Sequence, residues 1–117
     1  MTDLVCCLST GKGTWLEVAK LINMYEWRNI FLITNDFGKE KFTSPKPVKF
    51  IIIDPNKDTD NMKKIISEAL SGKISGDIAL NITSGSGVEH MALLTALMNL
   101  GVGLRFVIPT NSEIKEV

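Results

Sequence analysis

The stretch Asp77-Ile78-Ala79-Leu80-Asn81-Ile82-Thr83-Ser84-Gly85-Ser86-Gly87-Val88-Glu89-His90-Met91-Ala92-Leu93 decides the fold. It starts as a short apolar run, Asp77 to Ile82. A loop of hydroxyls and glycines, Thr83 to Gly87, stops that run. A helical pattern follows over residues 88–100 and is closed by Gly101. An apolar run of this length bounded by turn residues reads as a strand buried on both faces. A strand buried on both faces and followed directly by a helix is the unit of a parallel sheet.

The same unit recurs along the chain. Leu4 to Leu8, Asn29 to Thr34, Val48 to Ile53 and Gly103 to Ile108 are further apolar runs. Their length and β-branched content favour strands. Trp15, Val18, Leu21, Ile22 and Tyr25 share one helical face, as do Met62, Ile65, Ile66, Ala69 and Leu70. Asp58-Thr59-Asp60 supplies a cap region for the second of these helices, and Gly72 ends it. Asn35 to Pro47 has no clear period and carries two prolines, so it reads as a loop. The order β-α-β-loop-β-α-β-α-β predicts one α/β domain over residues 1–117. Right-handed crossovers make it a three-layer Rossmann-like fold, with about five parallel strands in the order 3-2-1-4-5.

Composition narrows the function. The 117 residues hold 13 Lys and Arg against 13 Asp and Glu, for a formal net charge of zero. A general DNA-binding module gains its affinity from a basic excess, which this chain lacks. No apolar run approaches a membrane span of about 20 residues. Met1-Thr2-Asp3-Leu4 lacks the basic region of a signal peptide, which predicts a cytoplasmic protein. Cys6 and Cys7 are neighbours in a strand and point to opposite faces, so they read as reduced, packed thiols.

In the predicted topology the strand order reverses between the first and fourth strands. That reversal opens a crevice at their C-terminal ends. Two loops meet there, Ser9-Thr10-Gly11-Lys12-Gly13-Thr14 and Thr83-Ser84-Gly85-Ser86-Gly87. Both precede a helix. Glycines let the backbone approach a ligand, and helix N-termini attract anions. One such loop reads as a capped turn; two converging on a switch point read as a ligand site. The candidate ligand-binding residues are Ser9, Thr10, Gly11, Lys12, Gly13, Asn81, Thr83, Ser84, Gly85, Ser86 and Gly87. Ser9, Thr10, Lys12 and His90 are the catalytic candidates. A P-loop is absent, and Leu16 stands where a dinucleotide fingerprint has its third small residue. Asp36 is the acid that would face a ribose in such a fingerprint. With one His and two adjacent Cys, no metal-ligand spacing exists and no cofactor is expected.

The stretch from Asn81 to Leu93 resembles the strand-four signature of CARF domains, the CRISPR-associated Rossmann-fold sensors. Their strand ends in Asn/Asp-x-Ser/Thr, enters a Gly/Ser/Thr loop and opens a helix with small apolar residues. Asn81 and Thr83 match the first and third positions, and Ser9 and Thr10 fall in the family's first ligand loop. The resemblance implies binding of a cyclic oligoadenylate second messenger of type III CRISPR immunity across a two-fold dimer. It also implies metal-independent ring-nuclease activity as an option, with a ligand 2′-hydroxyl as nucleophile. Gly87 stands where the family often has Lys or Arg, and Lys12 is the candidate to supply that charge. These residues hold no effector domain. A stand-alone binder, a ring nuclease or a subunit serving a separate effector chain is therefore expected.

The helix at 88–100 is apolar around nearly its whole circumference, which predicts cover on all sides. A homodimer through this helix would provide it and would bring two crevices together. The other source of cover is the tail from Pro109 to Val117. Glu89 is expected to favour the helix dipole, His90 to pack or cap, and Trp15 to pack in the core. Tyr25 and Trp27 are expected to cover the sheet edge. Two other readings of the site stay open: a nucleotide- or dinucleotide-binding regulatory subunit, and a purely structural domain.

Overall fold

The computed structural model describes residues 2–9 and 12–117. Six strands form one sheet in the order β3-β2-β1-β4-β5-β6. They are β1 (Asp3–Cys7), β2 (Ile30–Thr34), β3 (Lys49–Ile52), β4 (Asp77–Asn81), β5 (Gly103–Pro109) and β6 (Ile114–Glu116). Four helices alternate with them: α1 (Lys12–Met24), α2 (Asp36–Lys41), α3 (Thr59–Leu70) and α4 (Gly87–Leu100). β1 to β5 pair in parallel, as the buried apolar runs require. The predicted order holds for these five strands.

Two elements differ from expectation. Residues Asp36–Lys41 are helical inside the predicted loop, because the Asn35 side chain caps them by accepting from the Gly38 amide at 2.8 Å. The tail after Pro109 turns back through Thr110 and pairs antiparallel with β5 as β6. It therefore extends the sheet edge beside β5 instead of lying over α4.

The side chains of β1 divide the core, since successive residues of a strand face opposite ways. Val5 and Cys7 pack on the α3 and α4 side with Ile66, Leu80, Leu93 and Leu97. Leu4, Cys6 and Leu8 pack on the α1 side with Val18, Leu21 and Ile22. Both thiols are free and buried. Burial pushes both upward, and the nearby Glu89 carboxylate adds to the rise of Cys7 to about 12. Neither is a thiolate near neutral pH, so neither is a reactive nucleophile.

Asp3 locks the end of the sheet opposite the crevice. Its buried carboxylate accepts from Arg28 Nε and Nη2 at 3.1 and 2.7 Å and from Asn29 Nδ2 at 3.0 Å. Burial alone would raise this carboxyl, but the hydrogen bonds from Arg28 and Asn29 and the guanidinium charge together hold it below its ordinary value. A carboxylate depressed in the folded state stabilises fully above its unfolded pKa of about 3.9, and that contribution is lost as pH falls through the folded value. The Asp3 contribution to the urea midpoint should thus be constant above about pH 5 and shrink below about pH 4. In Asp3→Asn the midpoint should be lower at neutral pH and its acid slope shallower.

Candidate functional site

The strand order reverses between β1 and β4, which are direct neighbours. The loops leaving their C-terminal ends are joined there. The Ser9 amide donates to Ser84 Oγ at 2.8 Å, across 75 positions of sequence. Ser84 is buried, so its hydroxyl is a fixed part of the crevice floor. The Trp15 indole N–H, one turn into α1, donates to the Ser9 carbonyl. The Ser9 backbone is thereby held at both its N–H and its carbonyl. Thr10, Gly11 and the Lys12 side chain lie outside the described residues, while Gly13 is exposed in the first turn of α1.

Asn81 and Thr83 shape the second loop from beneath. Asn81 is buried; its Nδ2 donates to the Val107 carbonyl at 2.9 Å. Its Oδ1 accepts from the Thr83 amide at 3.3 Å and from the Thr83 hydroxyl at 2.9 Å. This ties the end of β4 to β5 and turns the chain into the loop. The Asn-x-Thr pattern is a bracket that aims the loop, with Thr83 exposed above a buried Asn81.

The loop then passes through Gly85 at φ +105°, a conformation L side chains rarely adopt. A Cβ there would sit 3.0 Å from His90 Nε2 and 3.2 Å from Glu89 Oε1. Ser86 caps α4 by accepting from the Glu89 amide at 3.2 Å, and Glu89 returns a carboxylate oxygen to the Ser86 amide at 2.7 Å. This is a reciprocal capping box. Helix geometry leaves the Gly87 and Val88 amides without an intrahelical acceptor, at the positive end of the macrodipole. Ser86 and Gly87 are both exposed at this end.

His90 is one turn along α4, and its Nε2 lies 2.7 Å from the Ser84 carbonyl. A carbonyl only accepts, so Nε2 carries a hydrogen and donates it. His90 is therefore a positioning residue for the loop, with Nε2 committed to the backbone. Glu89 does more than favour the dipole: it is nine-tenths buried, within the capping box and close enough to Cys7 to act on its thiol. Asp36 lies exposed in the first turn of α2.

No protein-family model matches the chain, and no curated protein matches it in sequence.

The site's chemistry therefore rests on its own geometry. Two backbone turns are held together at a switch point and lined by Ser9, Thr83 and Ser86 near a capped helix N-terminus. Such an arrangement offers hydroxyl and amide donors to an anionic oxygen. Among the described residues, no group of three or more His, Cys, Asp and Glu side chains comes together. Among the same residues, no helix is long and apolar enough to cross a membrane.

The surface beside the second loop is apolar. Val88, Met91 and Met98 of α4 are 48%, 60% and 69% exposed, and their spacing places them on one face. α4 is thus not covered all round. A small cavity of about 240 Å³ lies at the ends of β4 and β5, lined by Ile82, Thr83, Phe106, Ile108 and Val117 among others. Sequence reasoning had no signal for the grip between Ser9 and Ser84. A serine inside a Ser/Gly loop looks like any other capping residue.

Proposed function

We propose that this chain is a CARF-like sensor that binds a cyclic oligoadenylate. The observation that supports the reading best is the Ser9–Ser84 hydrogen bond. It makes one crevice of two loops at the point where the sheet order reverses, the place where open α/β sheets bind ligands. The zero net charge of the chain agrees with it, since an anionic ligand must then be held locally, by amides and hydroxyls. Phosphates would sit over the Ser86–Val88 turn and the Ser9 loop. Lys12, the one cation in the two loop sequences, would add charge.

The exposed Val88, Met91 and Met98 stripe, which starts immediately after Gly87, supports a homodimer through α4 as part of this reading. A two-fold axis along this stripe would place two second loops side by side and offer a symmetric ring a symmetric pocket. Slow ring cleavage would rest on holding a ligand 2′-hydroxyl in line with its phosphorus, with loop donors on the developing charge. The hydrogen on His90 Nε2 is used by the loop, so Ser9, Thr10 and Lys12 are the residues to test for cleavage.

The experiment is calorimetry with cyclic tetra-adenylate, cyclic hexa-adenylate, NAD and ATP, followed by incubation of labelled ring with protein in EDTA. Binding of a cyclic oligoadenylate more tightly than NAD or ATP is expected. Binding of NAD alone would replace this reading with a dinucleotide-binding subunit. An intact ring after hours would restrict the protein to sensing.

A further inference from the structure

Next to the first loop lies an open groove that the phosphate-binding geometry does not use. It has a volume of about 610 Å³ and runs between α1 and α2, lined by Trp15, Leu16, Phe37, Lys41, Phe42 and Thr43 among others. That volume is within the usual range for small-molecule sites. Three aromatic rings meet in it. Trp15 and Phe37 have centroids 6.0 Å apart, and Trp15 and Phe42 are 5.9 Å apart edge-on. Phe37 is 43% exposed and Leu16 73% exposed, both within the first turns of their helices. A solvent-facing Phe and Leu beside a partly buried Trp is a costly surface to leave wet. The short α2 exists through the Asn35 cap, and it is what brings Phe37 to Trp15.

The groove is tied to the crevice. Trp15 forms part of its wall and holds the Ser9 carbonyl through its indole N–H. A group seated against Trp15 therefore lies next to Ser9, the residue whose amide joins the two loops. The rim carries charge of one useful sign. Lys41 is exposed, and its ion pair with Glu40 at 3.7 Å joins two exposed side chains and is easily exchanged. Aromatic faces, an apolar wall and a cationic rim together complement a flat heteroaromatic ring that carries an anion.

We infer that this groove is a nucleobase subsite, taking the base of a nucleotide whose phosphate faces Lys41. The inference rests on the reading of the crevice as a nucleotide site and extends it to the base. It makes α2 a specificity element of the fold.

The test uses the full chain with Trp27→Phe, which leaves Trp15 as the sole indole. Trp15 fluorescence is titrated with adenosine monophosphate and, separately, with cyclic tetra-adenylate. Both are expected to quench it. Phe37→Ala, at an exposed position, should weaken quenching-derived affinity about ten-fold or more, and Phe37→Trp should retain binding by calorimetry. Lys41→Ala should weaken it less, and more at low salt than at high salt. If the ring binds by calorimetry and Phe37→Ala changes nothing, the groove inference falls while the crevice reading stands. If the monophosphate binds through Phe37 and no cyclic oligoadenylate binds, the groove stands and the ring reading falls. If neither adenine compound binds, both fall.

Discussion

Gly85→Ala is expected to cost about 1–3 kcal/mol of stability and to weaken nucleotide binding out of proportion to that loss. Gly85 sits at φ +105°, where an added Cβ is strained whatever the space around it. The space is also tight, with His90 Nε2 at 3.0 Å and Glu89 Oε1 at 3.2 Å from the Cβ position. Relief requires one of two movements. His90 swings away and releases the Ser84 carbonyl, or the loop shifts and releases the Ser9 amide from Ser84 Oγ. The first loosens the second loop, and the second separates the two turns that would hold the ligand. Chemical denaturation measures the first part, and calorimetry at a temperature where the variant is fully folded measures the second. A variant with wild-type affinity at reduced stability would show that the loop geometry does not matter to binding.

Met91→Lys combined with Met98→Lys is expected to leave the fold intact and yield a monomer that binds a cyclic oligoadenylate at least about 100-fold more weakly. Both side chains are mostly exposed in one chain, so charge there costs the monomer little. In a two-fold pair each new lysine would face its own symmetry copy or another apolar side chain, which is an unpaired buried charge. Light scattering reports the oligomeric state. A wild-type protein that is monomeric at micromolar concentration, or a double variant that stays dimeric, would remove α4 from the interface.

The layered core was legible in sequence because burial on both faces writes a continuous apolar run, as in Ile78 to Leu80 and Phe31 to Ile33. The crossover helices were legible because amphipathic spacing survives over more than two turns, as from Met62 to Leu70. α2 was not, since six residues span fewer than two turns and show no period; its signal is the Asn35 cap. β6 was not, because three residues with two charges carry no alternation, and its partner is chosen by the turn at Thr110. At the site, the glycines and hydroxyls of both loops were visible as a pattern. Their division of labour was not. Asn81 lies buried beneath the loop as a bracket to β5, and Glu89 adds a capping box to its place at the positive end of the helix dipole. Those assignments depend on burial and on contacts with β5 and β1, which spacing along the chain does not encode. The apolar stripe on α4 was visible as composition, and the structure adds which of its residues are wet.

The most direct measurement is isothermal titration calorimetry of the wild-type chain with cyclic tetra-adenylate and cyclic hexa-adenylate. Saturable binding of one of them at one ring for every two chains is the predicted result. Absence of binding to both rings, or binding at one ring per chain by a monomer, would contradict the account.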